Sequence, residues 1–195
     1  MNNFSKRNLV RNSEFMVIGT NTKTATAPFW QTYSSLTGIG AWLPEGESIL
    51  SPMLRGYSAK ITVSTDGETR YLYQKIPVQS SVRTYSIRGL AEIDSGNPGV
   101  LTVSFYGVRS DGSTETSDRI EISVREQDTA FEFRGTITFE ETDIDYVIVK
   151  YTIVGAGAAQ NIYIGQTIVT EGYNPGPFRQ LAELLLLSQI RYDAS

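Results

Sequence analysis

A chain of 195 residues, 40% of them hydrophobic, is long enough to bury a core as one β-type domain or two small ones. It holds neither Cys nor His, which excludes disulfides, thiolate metal sites and an imidazole general base. A formal net charge of −4 argues against a nucleic-acid partner, which favours a basic face.

Lys6, Arg7 and Arg11 near the start precede no apolar run of signal-peptide length. The longest apolar block, Leu184–Leu187, falls far short of the ~20 residues of a membrane span. A soluble chain made in a cytoplasm is expected, without membrane insertion.

In chain order, Phe29–Tyr33 and Ile39–Leu43 are candidate short strands in a region loosened by Gly, Thr and Pro. From about residue 57 apolar and polar residues alternate. Tyr57, Ala59, Ile61 and Val63 oppose Ser58, Lys60 and Thr62, and Leu72, Ile76 and Val78 oppose Tyr71, Tyr73 and Lys75. Leu101, Val103 and Phe105 oppose Thr102, Ser104 and Tyr106, and Ile120, Ile122 and Val124 oppose Arg119, Glu121, Ser123 and Arg125. Phe131, Phe133, Ile137 and Phe139 oppose Glu132, Arg134, Thr136, Thr138 and Glu140. Val147, Val149, Tyr151 and Ile153 form the next row, and a last strand runs from Ile162 to about Thr170.

A period of two, rich in β-branched and aromatic residues, marks half-buried antiparallel strands. Turn chemistry separates the rows at Thr65-Asp66-Gly67, Asp94–Gly99, Asp111-Gly112 and Gly155-Ala156-Gly157. The pattern predicts an all-β fold, an antiparallel β-sandwich (jelly roll), with a short C-terminal α-helix. Residues 1–8 are read as an N-terminal arm, 9–172 as the sandwich, and 173–195 as a Gly/Pro turn and helix for docking or oligomerisation.

Pro177 suits the first turn of that helix, and Leu181, Leu184, Leu185, Leu186, Leu187 and Ile190 follow. Consecutive leucines about 100° apart cover nearly the whole circumference, wider than the stripe a helix needs to dock on one surface. Either the helix packs over the open end of the sandwich or it is buried on several sides in an assembly. Phe178, Leu181, Leu184, Leu185, Leu187 and Ile190 are the expected oligomer or partner interface, and self-association is favoured.

No catalytic machinery is legible. There is no Gly-x-Ser-x-Gly elbow, the carboxylates fall in no recognisable motif, and Gly155–Ala159 is a turn between strands, not a dinucleotide loop. No enzyme is expected. Aromatic faces that stack on pyranose rings are the alternative chemistry, with Trp30, Trp42, Tyr71, Tyr73 and Tyr106 as candidates. Strand tyrosines also pair across sheets without binding anything.

Asn8-Leu9-Val10-Arg11-Asn12-Ser13-Glu14-Phe15 resembles the N-L-x-x-N-x-x-F opening of carbohydrate-binding-module-like jelly rolls. Trp30 stands where that family has a buried Trp, Tyr73-Gln74-Lys75-Ile76 is similar to its Q-x-I strand, and Tyr85–Gly89 to a further strand. Thr170-Glu171-Gly172, Pro175 and Pro177-Phe178 resemble the closing motif of such domains in tailed-bacteriophage tail fibres and other virion proteins. The resemblance spans residues 8–187.

It implies a non-enzymatic virion structural protein, capsid- or tail-associated as decoration or fibre subunit, with a part in host-surface attachment. The virion is the implied location, and the implied partners are copies of itself in a trimer and other virion proteins. The alternative is a carbohydrate-binding module for cell-surface glycan. Members of the family hold a calcium partly through an acidic residue after the N-terminal Phe; here that place is Met16, and uncharged residues around Gly165-Gln166 replace a second acidic pair. Ca²⁺ takes six to eight oxygens with several carboxylates, so no metal or other cofactor is expected, and Glu140, Glu141, Asp143 and Asp145 read as a solvated loop.

Overall fold

The computed structural model describes residues 8–10, 30–34, 43–45, 58–63, 67–78, 82–93, 100–113, 120–124, 131–140, 143–155 and 160–175. Among them run β1 (Gln31–Ser34), β2 (Leu43–Glu45), β3 (Ser58–Val63), β4 (Thr69–Pro77) and β5 (Thr84–Ile93). Then follow β6 (Val100–Arg109), β7 (Ile120–Val124), β8 (Phe131–Thr138), β9 (Ile144–Val154) and β10 (Gln160–Glu171). They form two five-stranded antiparallel sheets, a front sheet ordered β1-β4-β9-β6-β7 and a back sheet ordered β2-β3-β10-β5-β8. The expected sandwich is what the chain builds. The early strands sit at the sheet edges, and β2 carries Pro44 on an edge strand, where a missing N–H is tolerated; residues 39–42 of the expected second strand lie outside the described residues.

The core lies between the sheets and is made by the alternating rows. Leu72 and Ile76, Leu101, Val103 and Phe105, and Val147, Val149, Tyr151 and Ile153 point inward from the front sheet. Ala59, Ile61, Tyr85, Ile87, Phe133, Ile137 and Ile164 meet them from the back. Trp30 belongs to this core: it is 2% exposed, with its ring centroid 6.1 Å from that of Tyr151. That removes it from the candidate sugar platforms, because a stacking ring must offer a face to solvent. Phe133 meets the edge of Tyr151 at 5.9 Å, so the three rings fill the centre.

Between Ile164 and Thr167 the pairing of β10 with β5 slips, setting three steps on β10 against two on β5. The bulge re-aims the side chains. Thr167 now faces inward, and its hydroxyl lies 2.6 Å from the hydroxyl of Tyr151 on the opposite sheet. Burial pushes the Tyr151 phenol well above its ordinary range, and the Thr167 hydrogen bond offsets only part of that. A buried phenol needs such a partner.

The N-terminal motif secures the same place. β3 pairs with β10 only as far as Ile164, and beyond it Asn8 and Leu9 take over that edge. Asn8 Nδ2 donates to the Thr167 carbonyl at 3.0 Å, and its Oδ1 accepts from the backbone N–H groups of Val169 and Val10 at 3.0 and 3.1 Å. Leu9 N–H donates to the Val169 carbonyl at 2.8 Å. At the other end of β10, Gly172 takes φ +81°, which suits a residue without Cβ. There its N–H donates to Thr84 O, its carbonyl accepts from Ser86 Oγ, and Thr170 Oγ1 donates to Asn174 O. These contacts give Thr170 and Gly172 of the closing motif their structural roles.

The expected C-terminal helix, with Phe178, Leu181, Leu184, Leu185, Leu187 and Ile190, lies outside the described residues, as do Trp42, Met16 and the Asp94–Gly99 turn.

Candidate functional site

The two sheets treat their outer faces differently. On the back sheet Leu90, Glu92, Tyr163 and Ile168 point away from the core yet are buried, as are Ser86 and Thr170. Among the described residues, what remains accessible there is a polar border on β8, where Arg88 donates two hydrogen bonds to Glu132 at 2.9 and 3.0 Å and Thr84 and Ser86 pair with Thr138 and Thr136. A half-exposed ion pair of this kind contributes under about 1 kcal/mol. The front sheet keeps its outer face open.

Alternation decides which residues reach that face. From β4 come Thr69, Tyr71, Tyr73, Lys75 and Pro77; from β9 Tyr146, Ile148, Lys150, Thr152 and Val154; from β6 Val100, Thr102, Ser104, Tyr106 and Val108. Antiparallel pairing aligns them in rows. Tyr71, Thr152 and Thr102 share one row, Tyr73, Lys150 and Ser104 the next, then Lys75, Ile148 and Tyr106, and finally Pro77, Tyr146 and Val108. Thr69, Val154 and Val100 close the other end, where both valines are exposed. On the flanks, Gln31 of β1 pairs with Tyr73, and Glu121 of β7 pairs with Ser104. With residue and strand spacings of about 3.4 and 4.8 Å, the three central strands form a strip roughly 27 Å long and 10 Å wide.

Three of the candidate residues, Tyr71, Tyr73 and Tyr106, are therefore on one surface, each half-buried. The rings of Tyr71 and Tyr73 are 6.2 Å apart, inclined at 59°. Tyr146 joins them. The Lys150 ammonium sits 4.1 Å from the Tyr71 ring centroid, and that of Lys75 5.6 Å from the Tyr146 ring centroid. Ser104 and Ile148 are buried beneath their longer neighbours. Tyr146, Ile148 and Lys150 escaped the sequence reading because β9 is apolar on both parities, and its stronger row is the core. Their signal is the complementary parity, Tyr146-x-Ile148-x-Lys150-x-Thr152.

The strip offers flat apolar rings beside ammonium and hydroxyl groups, the combination that orients a sugar. Among the described residues it shows no glycosidase pair. Among the described residues Glu121 is the carboxylate on the face, and Asp145 lies at the far end of β9. Their Cα atoms are roughly 20 Å apart by strand spacing, beyond the reach of carboxylates that must stand ~5–9.5 Å apart.

No protein-family model matches the chain, and no curated protein matches it. Solved structures do. The enzymatically active domain of bacteriophage CBA120 tailspike protein 4 superposes with TM-score 0.65 at 14% identity, over 85% of this chain and 21% of that one. TmCBM61, solved in complex with β-1,4-galactotriose, gives 0.57 at 13% identity, over 85% of this chain and 99% of its own. The arabinose-bound α-L-arabinofuranosidase MgGH51 gives 0.56 at 17% identity, over 87% of this chain and 27% of that one. The likeness is one of fold. The chain shares the β-sandwich fold of these structures, and it spans about a fifth of the tailspike chain it matches.

Proposed function

We propose that this protein binds glycan without cleaving it, on the outer face of the front sheet. The observation that carries this is the gathering of Tyr71, Tyr73, Tyr106 and Tyr146 on an open sheet face while the centre of the opposite outer face is buried. A structure of matching extent, TmCBM61, was solved holding a galactose trisaccharide, which supports a sandwich of this size acting alone as a sugar-binding unit. Tyrosines spread over three adjacent strands suit an extended stretch of sugar chain, since successive rings can stack on successive residues.

The test is binding to a panel of immobilised glycans, followed by substitution. Tyr73→Ala combined with Tyr106→Ala should lower affinity for the best ligand at least about tenfold, because each stacking contact contributes on the order of 1 kcal/mol. Its thermal midpoint should stay close to that of the parent, as both side chains lie outside the core. Undiminished binding by the folded double variant refutes the assignment.

A second reading sets this module in a virion, as a capsid- or tail-associated subunit that helps attachment to a host surface. The tailspike likeness and the closing Thr170-Glu171-Gly172 turn favour it. Under this reading Phe178, Leu181 and Leu185 hold copies of the chain together as a trimer. Light scattering should then give a trimer mass for the full chain and a monomer mass for Leu181→Lys/Leu185→Lys; a monomeric parent removes the trimer.

A further inference from the structure

The tyrosine face is not electrically neutral. Lys75 and Lys150 stand on adjacent strands one row apart, with Tyr73 paired to Lys150 and Lys75 paired to Ile148. Each directs its ammonium against a tyrosine ring, Lys150 on Tyr71 and Lys75 on Tyr146. Among the described residues, the charged groups around them include Glu121 on the edge strand beyond Ser104 and, at the far end of β9, Asp145 and the Arg109–Asp143 pair, while Gln31 on the β1 side is uncharged. The two ammonium groups thus diverge, one over Tyr71 toward one end of the strip and one over Tyr146 toward the other, in a chain whose net charge is −4.

This arrangement discriminates between sugars. A neutral pyranose stacking on Tyr71 or Tyr146 must displace an ammonium from the ring and offer only hydroxyl groups in exchange. A sugar bearing a carboxylate pairs with the ammonium as the ring receives its apolar face, and charge-assisted hydrogen bonds are about twice as strong as neutral ones.

We propose, resting on the glycan-binding reading above, that the face takes an acidic polysaccharide whose sugar units carry carboxylates, with Lys75 and Lys150 as the specificity-determining residues. Tyr73 and Tyr106 supply stacking, and the two lysines supply the preference for acid.

The experiment compares the full-length protein on uronate polymers (polygalacturonate, alginate and hyaluronan) and on their methyl-esterified forms, which keep the ring and lose the charge. At least one acidic polymer should bind about tenfold more tightly than its ester, with the difference shrinking as NaCl is raised. Lys75→Gln and Lys150→Gln should each lower affinity for the acidic form and narrow that ratio, whereas Lys75→Arg should keep it. Thermal unfolding of each variant shows whether the sheet is intact. Equal binding of acid and ester, or a ratio untouched by both glutamine variants, overturns the proposal. So does binding confined to neutral glycans such as β-1,4-galactan, and that outcome leaves the glycan-binding reading standing. Failure to bind any glycan, acidic or neutral, defeats the underlying reading itself.

Discussion

Gly89→Ala is expected to destabilise the sandwich by about 2–3 kcal/mol, the cost of forcing extra volume into a packed core. Gly89 lies on β5 directly opposite Phe133 of β8. A Cβ built there would fall 2.2 Å from Phe133 Cζ and under 3 Å from both Cε atoms. The ring cannot swing aside freely, because it is 1% exposed and rests edge-on against Tyr151, which in turn touches Trp30. For a chain of this length the loss should appear as a fall of roughly 5–10 °C in the unfolding midpoint. Phe133→Leu alone should also destabilise, by leaving a cavity. Combined with Gly89→Ala it should cost less than the sum of the two, since each change makes room for the other. Strict additivity would show that Gly89 is not there to admit the ring.

Asn8→Ala is expected to cost about 2–4 kcal/mol, large for a partly buried polar residue so near the start of the chain. One side chain ties the N-terminal segment to β10 just past its bulge, donating to Thr167 O and accepting from the N–H groups of Val169 and Val10. Alanine leaves those backbone groups without their partner, and each such group costs about 1–3 kcal/mol when water cannot replace it fully. Asn8→Asp keeps the acceptor but sets a carboxylate oxygen against the Thr167 carbonyl, so it should fall between parent and alanine variant. Chemical denaturation gives the ranking, with an unchanged slope showing that stability alone has moved. An alanine variant within about 0.5 kcal/mol of the parent, the scatter of ordinary surface substitutions, would mean that the bulge holds itself.

These two sites show where local pattern informs and where it stops. Alternation alone placed Leu72 and Ile76 inside and Tyr71 and Tyr73 outside, and the rows on β6, β8 and β9 followed the same rule. The Asn8-Leu9 spelling was legible as a motif, but its purpose depends on pairing with residues some 160 positions away. The bulge in β10 shifts the parity of Thr167 and Val169 without any residue that announces it.

Inward-facing Arg70 and Gln74 on β4 break the apolar row, and Glu68, just before that strand, is buried as well. Glu68 forms a buried ion pair with Arg70. Charge at a core parity reads as solvent-facing until its partner is placed.

Part of the candidate site was legible for the same reason as the core. Tyr71, Tyr73 and Tyr106 were named from the parity opposite the apolar rows. Their meeting on one surface was not, because β9, distant in sequence from both β4 and β6, inserts between them. Trp30 failed as a surface candidate, as the family resemblance implied, because aromatic character does not distinguish a stacking platform from a core ring. Only burial does.

The central claim, that glycan lies on the tyrosine face of the front sheet, is tested most directly by titrating the best-binding oligosaccharide into isotope-labelled protein and following the NMR spectrum. Perturbed resonances should concentrate on the outward residues of β4, β6 and β9, among them Tyr71, Tyr73, Tyr106, Tyr146 and Lys150. Shifts centred instead on the back sheet, around Arg88, Glu132 and Thr136, would contradict it.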